Sequence, residues 1–118
     1  MKHYGNGAST NLDQRAGGTI VTNFRPQDVL MTPRDREVLR GLAGRVPKIA
    51  ACPRMREVRR LWTRLNMLQE TRPLIFCDPE NGWNEIITES QMRCQGTLAQ
   101  HYEMHLRKEI FWGEEILN

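Results

Sequence analysis

The chain has 118 residues, enough for one domain and too few for two. Hydrophobic residues make up 39%, which fits a soluble globular chain more than a disordered one. No apolar run reaches membrane-spanning length and no apolar core follows Lys2, so a membrane span and a signal peptide are not expected and the expected location is cytoplasmic.

The net charge of +3 conceals an asymmetry: residues 1–72 hold 14 of the 17 Lys and Arg but 6 of the 14 Asp and Glu, a net of +8, and residues 73–118 carry −5. Such a division can mark a nucleic-acid surface, or two halves of one fold that attract each other. The three cysteines, Cys52, Cys77 and Cys94, are odd in number and form no CxxC pair, which suits a reducing compartment and argues against a zinc knuckle.

Residues 1–31 read as a flexible N-terminal arm, with Gly5, Gly7, Gly17 and Gly18 among small polar residues and few apolar anchors. Ile20, Val21 and Phe24 can pack locally, and Val29 and Leu30 can staple the helix that follows. That helix opens at Thr32-Pro33-Arg34-Asp35: a capping threonine, a proline preset for the first helical position, and an acid that completes a capping box. Val38, Leu39, Leu42, Val46 and Ile49 continue at helical spacing, and Pro47 is expected to kink or end the helix. Cys52-Pro53 starts a second helix, with Met55, Val58, Leu61, Trp62, Leu65 and Leu68 on one stripe and Arg56, Arg59, Arg60 and Arg64 opposite.

Leu74-Ile75-Phe76-Cys77 is a continuous apolar run bounded by Pro73 and Asp78-Pro79, the pattern of a short strand buried on both faces. Asn81-Gly82 supplies residues tolerant of positive φ for the turn that follows. Trp83 to Ile87 reads as a brief extended or irregular piece, and Thr88-Glu89-Ser90-Gln91 as a capped helical turn. A last helix is expected from about Gln95 to about Glu114, with Leu98, Tyr102, Leu106, Ile110 and Gly113 on one stripe and Met104 and Phe111 on a second, so that it is contacted on two sides.

The predicted fold is therefore mostly α with one short strand. A lone buried strand needs neighbours for its backbone groups. Glu114 and Glu115 oppose the helix dipole, and no glycine cap follows them. These features lead us to expect either the N-terminal portion of a longer α/β protein or a subunit whose sheet is completed by another chain.

Arg72-Pro73-Leu74-Ile75-Phe76-Cys77-Asp78-Pro79-Glu80-Asn81-Gly82-Trp83 resembles the N-terminal part of uroporphyrinogen decarboxylase-like proteins. So do Leu30-Met31-Thr32-Pro33-Arg34-Asp35-Arg36-Glu37 and Leu106-Arg107-Lys108-Glu109-Ile110-Phe111-Trp112-Gly113-Glu114-Glu115. The likeness is to the branch related to corrinoid-dependent methyltransferases and covers roughly residues 30–118. It implies a TIM-type α/β barrel preceded by helices, in which Leu74–Cys77 is the first barrel strand; such barrels need about 250 residues, so residues 32–118 would be an incomplete barrel, not catalytic by itself. The decarboxylases carry an arginine-bearing motif after that strand, where this chain reads Asp78 to Trp83 with no arginine; acids there repel a polycarboxylate, which favours the methyltransferase-related branch. The resemblance implies corrinoid (cobalamin) and zinc in a full-length relative and none bound by this chain. The partners it implies are the remainder of the barrel or a second copy, with a corrinoid protein for a full-length relative.

Asp78, Glu80, Asn81 and Trp83 are the candidate substrate-binding residues, because they would line the C-terminal mouth of the strand, where paired acids can orient a substrate or move a proton. The alternative is plain turn chemistry. His101 and His105 have the i, i+4 spacing of a zinc pair but lack an evident third ligand, and surface histidines are the simpler reading. The arginines of the second helix would suit a small helical nucleic-acid-binding or interaction protein, the competing function, or simply a solvated face. Cys77 lies at the strand end with acids rather than bases nearby and reads as a buried small hydrophobe, not a nucleophile.

Overall fold

The computed structural model describes residues 25–116, and the structure is mostly helical, with four α-helices. The helices are α1 (Pro33–Ala51), α2 (Pro53–Asn66), the single turn α3 (Trp83–Ile86) and α4 (Thr97–Glu115), with 3-10 turns at Pro26–Val29, Glu80–Gly82 and Glu89–Gln91. The arm expected over residues 1–31, with Ile20, Val21 and Phe24, lies outside the described residues as far as residue 24. From Arg25 onward a turn forms, closed by Arg25 and Asp28: the Asp28 carboxylate accepts from the Arg25 main chain (3.0 Å) and side chain (3.0 and 3.2 Å). Val29 and Leu30, the expected staple, are 47% and 67% exposed.

The start of α1 follows its capping box. Asp35 N–H donates to Thr32 Oγ1 (3.0 Å) and Thr32 N–H to Asp35 Oδ2 (3.1 Å). Pro47 neither ends the helix nor opens a second one; α1 runs through it to Ala51. The carbonyl that loses its partner belongs to Ala43, which is exposed, so water can take the place of the missing N–H. The break comes at Cys52, extended at φ −65° and ψ 151°, and α2 begins at Pro53.

α2 ends in a Schellman motif. Gln69 N–H donates to Arg64 O (2.9 Å) and Leu68 N–H to Leu65 O (3.0 Å), with Leu68 at φ 57° in the left-handed position that glycine usually fills. Of the expected second stripe, Val58 and Leu61 are buried and Met55 and Trp62 half-buried, but Leu65 is 39% exposed and Leu68, the cap residue, 95%.

Two of the arginines opposite that stripe, Arg59 and Arg64, reach main-chain carbonyls beyond the ends of α2. Both terminal nitrogens of Arg59 donate to Ala50 O in the last turn of α1 (3.0 Å each), and Arg64 donates to Glu70 O (2.8 Å). Arg54, at the start of α2, donates to Gly113 O and, at 3.2 Å, to Ile116 O. The C-terminal carbonyls of α4 thus receive a cap from a different helix. Arg45 of α1 bridges Glu114 at 2.8 Å, which offsets an acid placed against the helix dipole. These contacts join the basic and acidic halves of the chain.

α1 and α4 form the principal packing pair. They meet closely at Gly113, where any Cβ would collide with the Ile49 side chain. The buried apolar residues include Leu42 of α1, Val58 and Leu61 of α2, and Ala99 and Ile110 of α4. The inward stripe of α4 is Ala99, Glu103, Ile110 and Gly113, shifted from the predicted one, and Tyr102 is 49% exposed. A second side of α4 is covered as expected: Phe111 meets Trp83 of α3 edge to face (5.8 Å), and Trp112 stacks on Trp83 (6.4 Å).

The predicted strand is not observed. Leu74–Cys77 lies in an irregular segment from residue 69 to residue 79, and no strand forms among the described residues. An apolar run favours burial, but a strand exists only with a partner for its main chain. Trp83 to Ile86, expected to be extended or irregular, is helical; its tryptophan is buried. A barrel, or part of one, is therefore not visible in these helices.

Candidate functional site

Two features of the structure carry chemistry: a pair of buried carboxylates and an apolar groove. The carboxylates are Asp35 and Glu103, each 0% exposed. Both serve the loop 92–96 that leads into α4. Glu103 accepts from Arg93 N–H (2.9 and 3.0 Å), from Cys94 N–H (2.7 Å) and from the Arg107 guanidinium one helical turn on (2.7 and 2.9 Å). Asp35 accepts from Gln95 N–H (2.8 Å) and Gly96 N–H (3.3 Å) besides its own capping box. Four consecutive amides, 93 to 96, thus end on two carboxylates from opposite sides. Gly96 is needed for this approach, since a Cβ there would meet the Leu30 carbonyl and lie 3.2 Å from Asp35 Oδ2.

The hydrogen bonds fix the charge state. The Gln95 amide most of all, against the opposing effect of burial and with help from Thr32 and Gly96, holds the Asp35 carboxyl below its ordinary pKa. Burial works to raise Glu103, but the Cys94 amide, the Arg107 guanidinium and the Arg93 amide outweigh it and hold it low. Cys94, buried between the two acids, is pushed up to about 12 by burial and then by Glu103, so it stays a thiol. Its Sγ lies 3.8 Å from the Asp35 carbonyl oxygen. Two anions held as hydrogen-bond acceptors and a neutral thiol make a structural latch rather than a proton-transfer pair. Sequence reading missed Glu103 as an inward residue; Arg107 four residues on was the signal that could have found its partner.

The residues proposed for substrate binding are close in space but divided in role. Asp78, Glu80 and Asn81 are exposed, whereas Trp83 is 5% exposed. Asp78 Oδ1 accepts from Glu80 N–H (3.1 Å) and from the Trp83 indole N–H (3.2 Å). The first of these is the Asx turn of the alternative reading. The positive φ falls at Glu80 (49°) and not at Asn81 or Gly82. Glu80 follows Pro79, at φ −62°, and its amide is held by Asp78. Lys108 Nζ sits 5.3 Å from the centre of the Trp83 ring, a cation–π contact on the same cluster.

The apolar groove encloses about 220 Å³ between the C-terminal half of α1, α2, the end of α4 and the segment 75–77. Val46, Ile49, Met55, Trp62, Phe76 and Trp112 are among the side chains that line it. Phe76 packs edge to face on Trp112 (5.0 Å), yet Ile75 and Phe76 each remain 67% exposed. The Trp112 indole Nε1 is buried with no acceptor among the described residues. A second cleft, about 360 Å³, is polar, but its charges are largely matched: Arg45 is bound to Glu114, and Arg107 to Glu103.

His101 and His105 are both exposed, and His101 rests against Tyr102 (6.0 Å). Among the described residues no three His, Cys, Asp or Glu side chains come together as metal ligands. Cys77, expected to be buried, is exposed, because the strand that would bury it does not form among the described residues, and Cys52 is partly exposed. No helix among the described residues is long and apolar enough to cross a membrane. No family model, curated protein or solved structure matches the chain.

Proposed function

We propose that this chain is the N-terminal portion of a uroporphyrinogen decarboxylase-like protein of the branch related to corrinoid-dependent methyltransferases, and that it is not catalytic by itself. Its role is structural: the helices brace the segment 74–77, which becomes the first barrel strand when the remaining strands are supplied. One observation carries this reading. Leu74–Cys77 stays out of every helix, with Ile75 and Phe76 two-thirds exposed beside an apolar groove, as a strand without its sheet would be. The buried indole N–H of Trp112 on the same groove supports it, since an added main chain offers carbonyls. Substrate contacts by Asp78, Glu80, Asn81 and Trp83 belong to this proposal, as does the placing of zinc and corrinoid on other parts of a full-length relative. The cytoplasm is the compartment proposed for it.

The competing reading, a small nucleic-acid-binding protein, depended on free arginines along α2. Arg60 is paired with Glu57 at 2.6 Å, and Arg59 and Arg64 aim donors at main-chain carbonyls, which leaves fewer free donors for phosphates.

The test is complementation. The chain is co-expressed with the barrel portion of a full-length uroporphyrinogen decarboxylase-like protein that lacks its own N-terminal part. Copurification, with amide exchange at 74–77 slowed by about a hundredfold, is the expected result. Failure to copurify, with exchange at 74–77 unchanged, rejects the reading.

A further inference from the structure

We infer that this chain, on its own, pairs with a second copy of itself through an antiparallel strand formed by residues 72–78, in the register centred on Ile75. The inference does not rest on the barrel reading; it asks what closes the same edge when only copies of this chain are present.

The register comes from the residues. In an antiparallel pair about a two-fold axis at Ile75, residue 75 faces its own copy, Leu74 faces Phe76, Pro73 faces Cys77 and Arg72 faces Asp78. Opposite charges therefore meet directly at both ends, where like charges would destabilise the pair. Shifting the register by one residue in either direction removes that match.

The prolines agree with the same register. Facing residues alternate between hydrogen-bonded and non-hydrogen-bonded pairs. If the even-numbered residues form the bonded pairs, Pro73 and Pro79 both fall at positions where no N–H is required. Leu74 and Phe76 then supply the bonds, and their main-chain groups make none among the described residues. Nothing is asked of the Ile75 main chain, which stands at the non-bonded centre. Arg72 donates to Pro73 O (3.1 Å), a carbonyl this register leaves out. The bonds made by Asp78 within the chain use Oδ1, so Oδ2 remains for the Arg72 of the other copy.

Side chains follow. Leu74 and Phe76 of the two copies form cross-strand apolar pairs on one face, and Ile75 meets Ile75 on the other. Two apolar side chains exposed in this run, Ile75 and Phe76 at 67% each, are among those the pairing covers.

The experiment uses the full chain. Sedimentation over a concentration series should show a reversible monomer–dimer equilibrium. Arg72→Asp or Asp78→Arg alone should weaken it roughly tenfold or more, because each puts like charges opposite at both ends, and the double exchange should restore it. Arg72→Asp touches no buried group, so its result is independent of any damage that Asp78→Arg does to the Trp83 turn. Ile75→Cys in a Cys77→Ser background should form an interchain disulfide on mild oxidation. The native Cys77 should not, since its own copy lies four residues along the pair, about 13 Å away. A chain that is monomeric throughout, a dimer indifferent to the charge exchange, or ready Cys77–Cys77 cross-linking each overturns the inference. None of these results bears on complementation by a barrel portion.

Discussion

Replacing Glu103 with glutamine isolates the energetic role of the latch. Glutamine keeps the shape and one acceptor oxygen, but its amide nitrogen must face either the Arg107 guanidinium or the amides of Arg93 and Cys94. Every arrangement sets a donor against a donor. Glu103 is 0% exposed, so water cannot relieve the conflict. One buried unsatisfied N–H costs about 1–3 kcal/mol. Loss of the buried charge leaves Arg107 without its partner, but its side chain is 23% exposed and can turn toward water, which limits that share. The combined loss is about 2–4 kcal/mol, a large part of the roughly 5–15 kcal/mol that holds a domain folded. Urea denaturation at pH 7, followed by tryptophan fluorescence, measures it. A variant within about 0.5 kcal/mol of the parent refutes the reasoning, because that is the range of an ordinary surface change. The acid limb supplies a second reading with a definite sign. In the unfolded chain both carboxyls return to about 4, while folding lowers the pKa of Asp35 and of Glu103. Their contribution is therefore complete above about pH 5 and is lost as pH falls through the folded values. Glu103→Gln should flatten that acid slope, and what remains should come from Asp35 together with Asp28 and Glu57, whose arginine partners also hold their carboxyls low.

Gly113→Ala should destabilise the chain by about 1–3 kcal/mol in the same assay, because its methyl must displace Ile49 where α1 and α4 cross. Leu68→Gly should stabilise it by about 0.5–1 kcal/mol, since Leu68 holds a left-handed conformation while burying little, at 95% exposure. Thiol titration of the folded chain should find Cys77 reacting quickly and Cys94 only on unfolding, because Cys94 is buried and its thiol is pushed up to about 12. Equal rates at the two positions would contradict the burial of the latch.

The parts of the fold legible in the sequence were those set by local chemistry. The Thr32–Asp35 box, the restart at Pro53 and the apolar stripe through Val58 and Leu61 each need only a few neighbours, and each stands in the structure. The strand at Leu74–Cys77 was misread because hydrophobicity declares a wish for burial and not the presence of a partner. The inward face of α4 was legible only in part: Ile110 and Gly113 are buried as expected, but its first half turns inward through Ala99 and Glu103 and not through Tyr102. Glu103 is buried by amides that arrive from the loop before it, and no periodicity encodes their arrival. Among the candidate site residues the Asp78 turn was legible as an alternative, whereas the burial of Trp83 followed from Phe111 and Trp112, which approach from a distant helix.

The double duty of Asp35 has a consequence for the assembly of the molecule. Its oxygens serve neighbours three residues away and amides sixty residues away. Winding of the first helical turn sets the position of the carboxylate on which the distant loop lands. Changes that fray that turn should weaken the docking of α4 even though they lie far from it along the chain.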